Sequence, residues 1–527
     1  MTALQIAGNE YNLDIIYFLL SQNDTIPNDA FNSCKILVQF DIPPNIKTIG
    51  KNAFEGCSSL QKITIPSSLT TIKSYAFCGC FNLEHLEIPS SVTKIGKASF
   101  AGCFKLEQIT IPTSVSYIGS YAFANCQSLS QVTFENCNYL KSIEESTFEK
   151  CTSLTQITIP YFVATIGEKA FKNCSHLMTI SFLGSAFLKS IGDHALEECR
   201  YLNLISFPSS LESIGKYAFS ECAILGMISF NSVTSIGDYA FNECKSLTLI
   251  SLPSVKSIGD YAFNECKSLT LISIPSVESI GNYAFNECTS LNVMSFPHVK
   301  SIGNYAFNKC KALTLALNSS NLTEFGEFVF NECTLLQQMQ ILSTSITSIK
   351  RFSFHDCSSI TQLSIPSIIK TIDEKAFCNC KMLKEIVLPA SLTIIDEYAF
   401  LECSSLTKIL FVSPSSLTTI KTSAFNGCSS LAQISFPASL KIIDQYAFAC
   451  CSALKDISFE LPSSLKTIGD FAFNNCSSLE HIEIPRSVKS IGRSAFCRCT
   501  ALSTITIPAS INTNNIELLA STIVQRI

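Results

Sequence analysis

Cysteine and histidine are the side chains with the most chemistry to offer in this chain of 527 residues, which holds 26 cysteines and 6 histidines. A thiolate can bind zinc, pair into a disulfide or attack a substrate, and its spacing and surroundings decide which. Twenty-one of the cysteines stand three residues after a phenylalanine or its substitute, from Cys34 after Phe31 to Cys499 after Phe496. The other five are Cys78, Cys137, Cys378, Cys450 and Cys497, and three of these make Cys-x-Cys pairs with Cys80, Cys380 and Cys499. A structural zinc site usually asks for Cys-x-x-Cys with a second pair nearby. The histidines, at 85, 176, 194, 298, 355 and 481, are scattered, so no metal ligands are assigned. A residue at the same point of every repeat stacks on its equivalents. The expectation is therefore a buried column of small free thiols, ahead of a disulfide ladder or a metal array, kept reduced in a cytosol-like compartment. No nucleophile–base pair, acid pair or glycine-rich phosphate loop stands out. No catalytic residue, no cofactor and no enzymatic activity are expected.

The elements that would position these residues follow from the repeat itself. Ala-Phe-x-x-Cys returns about every 23 residues, giving 21 units whose Phe (or substitute) stands at 31, 54, 77, 100, 123, 148, 171, 196, 219, 241, 263, 285, 307, 330, 354, 377, 400, 425, 448, 473 and 496. A fixed period of this length means a solenoid, in which each unit buries its apolar face only against its neighbours. In Leu60–Cys80, Ile63 and Ile65 alternate with Lys62 and Thr64, the period of a half-buried strand. Pro66 ends that strand, Leu69 and Ile72 point inward from a turn, and Ser74 to Cys80 reads as a short helical turn with Ala76, Phe77 and Cys80 on one face. The expected fold is an α/β solenoid, a right-handed superhelix with one parallel sheet on its concave side and short helices or turns on its convex side. Glycine follows Ile in many units but gives way to Lys73, Asp373, Asp396 or Asp444 in others, so it is a favoured rather than an obligatory turn residue.

Composition agrees. The hydrophobic share is 47%, the charged share 15% and the net charge −5. Disorder is excluded, and without a basic stripe nucleic acid is not an expected partner. No run of 18 apolar residues is long enough for a membrane span. No secretory signal is visible, since Met1–Glu10 lacks Lys and Arg and no small-residue cleavage site follows Ile15–Leu20. These features favour a cytoplasmic location. Scattered Asn-x-Ser/Thr sites at Asn23, Asn173, Asn318, Asn321 and Asn475 do not support secretion.

The repeat resembles the leucine-rich repeat superfamily in its BspA-like, surface-antigen form, with units of the pattern L-x-x-I-x-I-P-x-S-[VL]-x-x-I-G-x-x-A-F-x-x-C. Leu106 to Cys126 matches every specified position, and the resemblance covers roughly residues 26 to 508. It implies a non-enzymatic scaffold for binding or adhesion through the concave sheet, at the cell surface. The other reading is a cytoplasmic structural or regulatory adaptor. Residues 2–20 resemble a single ankyrin unit, which cannot bury its own apolar face. They are read as an ankyrin-like helical N-cap over residues 1–21, or as the remnant of a longer array. The solenoid, of about 21 units of 22–25 residues, then runs over 22–508. Residues 509–527 form a C-terminal cap, where Asn515 would cap a helix carrying Ile516, Leu519, Ile523 and Ile527.

Two irregularities point to where a protein partner would bind. Four units carry two extra residues just after the strand, at 135–140, 183–188, 412–416 and 460–464. Such insertions mark a binding face as readily as tolerated drift. The first outward strand position is polar in most units (Lys62, His85, Gln108, Gln131, Gln156, Thr179), then aliphatic in five successive ones: Leu204, Met227, Leu249, Leu271 and Val293. Alternation leaves Ile205, Ile228, Ile250, Ile272 and Met294 inward. Those five outward side chains are the candidate partner-binding residues, since exposed contiguous apolar surface commonly marks an interaction site. They also lie among nearly identical units (235–251 and 257–273 agree at all 17 positions), so simple copying of one founder unit explains them equally.

Overall fold

The computed structural model describes residues 3–10, 12–184, 187–318, 321–341, 343–512 and 516–527. They form a parallel β-solenoid of about 21 turns, which divides into two units, residues 1–273 and 274–527.

One turn of the first unit shows how the sequence makes the fold. Lys62–Thr64 is a strand with Ile63 buried between two exposed neighbours. It pairs in parallel with Gln39–Asp41 of the turn before. Beyond Pro66 the chain enters a second, two-residue strand, Thr71–Ile72, paired in parallel with Thr48–Ile49 and Lys94–Ile95. The sequence showed only the first strand. The second is too short to display a period of two, yet it recurs in every turn of this unit from Thr25–Ile26 to Ser257–Ile258.

Ser74 to Cys80 closes the turn, and here the expected short helix is replaced by linked tight turns. Tyr75 and Gly79 both have positive φ, 61° and 73°, which a right-handed helix does not admit. Backbone amides alternate in what they serve. Cys78 and Cys80 donate back to Tyr75 and Phe77, while Tyr75, Phe77 and Gly79 donate forward to Lys97, Ser99 and Ala101 of the next turn. Hydrogen bonds that a helix would keep for itself thus tie successive turns together. The face read from the sequence is right all the same: Ala76, Phe77 and Cys80 are fully buried.

The core of the first unit is a stack of these buried groups. Ring centroids from Phe31 to Phe171 follow one another at 4.9–5.6 Å with nearly parallel planes, and Phe219, Phe241 and Phe263 repeat this at 5.1 and 5.2 Å. After Ile in many turns, Gly96 is typical: a Cβ there would lie 2.5 Å from the Lys73 carbonyl carbon. Close approach of the neighbouring turn, not φ, favours glycine at that point. Over the first turn lie α1 (Ala3–Asn9) and α2 (Leu13–Ser21). Asn12 caps α2, its Oδ1 accepting the Ile15 amide. Gly8 sits so close to Phe31 and Cys34 that a Cβ would meet both at about 3 Å, so α1 covers the first members of the two core columns.

The second unit repeats the design, with phenylalanine centroids from Phe285 to Phe496 at 5.0–5.7 Å. Its last element corrects the expected C-terminal helix. Ile523–Arg526 is a strand, paired in parallel with Thr504–Ile507. Asn515, the proposed cap, lies outside the described residues. Of the expected stripe Ile516 is buried, but Leu519, Ile523 and Ile527 are exposed, so one buried residue is left where a helix needs a continuous apolar face to offset its ordering.

Candidate binding face

The side chains with the most chemistry are built into the core. From Cys57 onward the column thiols point at the backbone of the turn before: Cys57 Sγ–H donates to the Phe31 carbonyl at 3.0 Å, Cys80 to Phe54 at 3.1 Å and Cys126 to Phe100 at 3.2 Å. The same carbonyls also accept an amide of their own turn, such as Cys34 N to Phe31 O. Cysteine is therefore more than a small apolar filler here; its weak donor meets a second lone pair on a buried acceptor. Burial pushes the Cys57 and Cys126 thiols up to about 12. At neutral pH they stay protonated and are poor nucleophiles. All 26 cysteines are free, and Cys450 is the exposed one. Among the described residues no cluster of His, Cys, Asp and Glu could hold a metal ion.

The exposed face of the longer strands offers a surface instead. Leu204, Met227, Leu249 and Leu271 of the first unit are all exposed, by 36–67%, while Ile205, Ile228, Ile250 and Ile272 beside them are buried. The strand parity read from the sequence holds. Met227, Leu249 and Leu271 stand in direct register across three paired strands, Met227–Ser229, Leu249–Ser251 and Leu271–Ser273. Leu204 belongs to a different sheet, where it stands opposite Thr179. Four aliphatic side chains thus occupy two adjoining sheets rather than one continuous ladder. Val293 lies in the second unit, exposed, with Met294 buried. There it registers with Leu315, a residue the sequence reading passed over because the turn from Leu313 to Asn318 departs from the strand pattern.

The sequence reading also missed what happens at Leu204. An open groove of about 570 Å³ lies along the strands Thr179–Phe182 and Leu204–Ile205, lined also by Gly184, Phe187, Phe207 and Pro208. Phe187 is held by its neighbours, stacked on Phe162 at 5.7 Å and edge-on to Tyr161 at 5.1 Å. Lys141 lies over the Phe162 ring. Phe182 packs against Phe207 at 5.6 Å. Two features that were separate in the sequence, Gly184 and Phe187 of the lengthened unit and Leu204 at the start of the aliphatic run, line one groove. The signal available was Phe at the strand's end in three successive turns, Phe182, Phe207 and Phe230, the first two of which line the groove. Its walls are apolar, its floor carries Ser181 and Ser206, and no ionisable side chain lines it. Such a surface can bury apolar groups and satisfy a few hydrogen bonds.

Comparison with known proteins adds the following. The profile described as "BspA type Leucine rich repeat region (6 copies)" matches residues 24–142, 136–248, 256–384, 335–455 and 410–522. No curated protein matches the chain by sequence. Among solved structures, a leucine-rich repeat protein from Bacteroides ovatus is 22% identical, covering 95% of this chain and 87% of its own, with a TM-score of 0.36. One from Eubacterium ventriosum is also 22% identical, covering 57% and 80%, with a TM-score of 0.38. A leucine-rich cell surface protein from Faecalibacterium prausnitzii is 20% identical, covering 83% of each chain, with a TM-score of 0.26.

Proposed function

This chain belongs to the BspA-type leucine-rich repeat family, and on that premise we propose that it is a non-enzymatic scaffold that binds a protein partner, in the manner of an adhesion surface, through the exposed face of its longer strands. The observation that carries this reading is the exposed aliphatic run of Leu204, Met227, Leu249 and Leu271 beside a groove walled by Phe182, Phe187 and Phe207. An apolar centre with a rim of Gln108, Gln131, Gln156 and Thr179 has the make-up of an interface core and its border. Val293, in the second unit, is proposed as a partner contact of that unit by its type and exposure alone.

The test is a binding comparison on folded variants. Leu249→Gln with Leu271→Gln restores the polar character of the other turns without touching the core. A protein retained by the native chain should be lost by this double variant and kept by Gln131→Ala with Gln156→Ala, with unchanged circular dichroism in both. Equal retention by all three would remove the strip as the contact. A second reading, a cytoplasmic structural or regulatory adaptor, is favoured by the exposed free thiol of Cys450 and the unbroken column of free thiols, a state that reducing compartments preserve. Resistance of the chain to protease added to intact cells would support the adaptor; cleavage would support the surface role.

A further inference from the structure

We propose that the turn side of the first unit carries a second binding site, a slot between Tyr75 and Tyr121 that takes one aromatic side chain of an extended peptide segment of a partner protein. The observation is a missing rung. The residue three before each column Cys is a core Phe (Leu196 in one turn), and the one two before it, at positive φ, carries an aromatic ring in many turns. Later in the first unit these rings form a ladder: His194 on Tyr217 at 4.7 Å, Tyr217 on Tyr239 at 4.5 Å and Tyr239 on Tyr261 at 4.5 Å, all within a few degrees of parallel. Earlier in the unit the same column reads Tyr75, Ala98, Tyr121, with φ of 61°, 49° and 62°. The backbone is the same and the middle ring is absent. Two turn spacings of about 4.8 Å each separate Tyr75 from Tyr121 by roughly 10 Å. That is twice the ring spacing of the filled ladder, so one further ring fits between them once the Lys97 side chain, whose Nζ lies over Tyr121, swings aside.

The surroundings make the vacancy a trough. It measures about 590 Å³ and is lined by the rings of Tyr75, Tyr121, Phe81 and Phe104 together with Lys97. Phe81 stacks on Phe104 at 4.9 Å. The floor is Cys78, Gly79, Ala101, Gly102 and Ala124. In the later turns the positions of Cys78, Ala101 and Ala124 are taken by Ser220, Asn242 and Asn264, linked through their side chains. Here small residues replace that ladder and lower the floor. The second unit supplies a precedent for occupying such a slot: Lys375, at the same repeat position, lies between two rings, its Nζ 5.0 Å from the Phe352 centroid and 5.4 Å from that of Tyr398.

Charge chooses between a ring and a cation as the guest. Lys97 Nζ lies 5.3 Å over the Tyr121 ring, so an incoming ammonium or guanidinium meets a like charge there, whereas an aromatic ring can take the face that Lys97 gives up while the ammonium stays at its side. Openness chooses between a peptide and a free small molecule. Small-molecule sites enclose most of their ligand's surface, whereas this trough lies open along the turns and suits a side chain presented by a backbone that lies across them.

The chain contains no tryptophan, so an indole probe can be read without background from the protein. The probe is acetyl-Ser-Gly-Trp-Gly-Ser-amide, followed by its fluorescence shift at increasing protein concentration. Saturable binding is expected, at least fivefold tighter than that of N-acetyltryptophanamide and at least tenfold tighter than that of the same peptide with Arg for Trp. Ala98→Tyr supplies the missing rung at a backbone position that holds Tyr in other turns, so it should fold and weaken the probe at least tenfold. Ala98→Ser keeps the slot open and should bind as the native chain does. Absence of saturable binding, or equal weakening by Ala98→Ser and Ala98→Tyr, would overturn the site. Preference for the Arg peptide would overturn the aromatic guest, and equal affinity for N-acetyltryptophanamide would overturn the peptide.

Discussion

Two stretches of the first unit, residues 75–134 and 217–273, share one core and differ almost everywhere outside it. Both stack Phe rings at 5.1–5.4 Å, and both send column thiols to a carbonyl of the turn before, Cys103 to Phe77 and Cys126 to Phe100, Cys222 to Leu196 and Cys244 to Phe219. Outside, the later stretch is saturated. Tyr rings stack on Tyr rings, Asn264 donates to Asn242, and the sheet face carries Met227, Leu249 and Leu271 in register. The earlier stretch breaks each of these columns, with Ala98 in the aromatic one, Ala101 and Ala124 in the amide one and Gln108 and Gln131 on the sheet. In a repeat protein, whatever recurs in every turn holds the turns together. Whatever changes in one column while its neighbours persist is free to recognise something. The aliphatic strip and the aromatic slot are both departures of this kind, on opposite types of surface.

The largest effect expected on this comparison is one that should not discriminate between the stretches. Burial raises the thiol pKa in both, from an ordinary value near 9 to about 12 for Cys126, and in the same direction for Cys103 and Cys222. The folded chain therefore holds protons that the unfolded chain releases, and the stabilisation is complete below pH 9 and lost as pH rises from 9 through 12. Circular dichroism in alkaline titration should show cooperative loss of structure in that window, with amide exchange rising together in both stretches. Stability that is flat to pH 12 would contradict a buried, free thiol column.

Next in size are the rings. Phe100→Ala and Phe241→Ala each leave a ring-sized cavity between two stacked neighbours, and each should cost about 3–5 kcal/mol locally. Hydrogen exchange of the flanking turns measures this. Costs that differ by more than about 2 kcal/mol would mean that the outer ladders, not the shared core, set local stability. Asn242→Ala tests that alternative directly. It removes the acceptor of the Asn264 amide, a part-buried bond of 2.8 Å, and should cost about 1 kcal/mol.

The repeat, the buried Phe and Cys columns and the parity of the long strands were all legible in the sequence because each rests on burial. Burial repeats with the turn and is written in apolar residue types. Ile205, Ile228, Ile250 and Ile272 lie inward as alternation requires. What was not legible rests on backbone conformation or on contacts between turns. Thr71–Ile72 is a strand only because Thr48–Ile49 and Lys94–Ile95 pair with it. Ser74–Cys80 has helical spacing of its apolar residues but places Tyr75 in the left-handed region, against the ordinary preference of a bulky residue. Ile523–Arg526 has apolar residues at helical spacing and gains its order from Thr504–Ile507 instead. For the candidate site, the strip was visible as a change of residue type along one column. The groove at Leu204 was not, since the loop and the strand meet there only in three dimensions.

The smallest effect expected is the one that isolates backbone conformation from packing. The residue before each column Cys has positive φ throughout: Gly79 and Gly102 at 73° and 74° in the earlier stretch, Glu221, Glu243 and Glu265 at 56–59° in the later one. Glycine adopts this region freely, whereas a residue with a Cβ loses roughly 1 kcal/mol there. At Gly79 an added Cβ would meet nothing closer than 3.7 Å, so Gly79→Ala should cost about 1 kcal/mol through the backbone alone. The reverse change, Glu243→Gly, removes that strain and a like charge from the column of Glu221 and Glu265. It also removes an exposed ion pair with Lys245 at 3.0 Å, worth about 0–1 kcal/mol, and loosens the unfolded chain. A net gain of about 0.5 kcal/mol is expected, read as slower amide exchange around Cys244. If Glu243→Gly instead destabilises the later stretch, its glutamates contribute an interaction that the ladder of Tyr and Asn does not supply. The two stretches would then differ in how they hold together as well as in what they present.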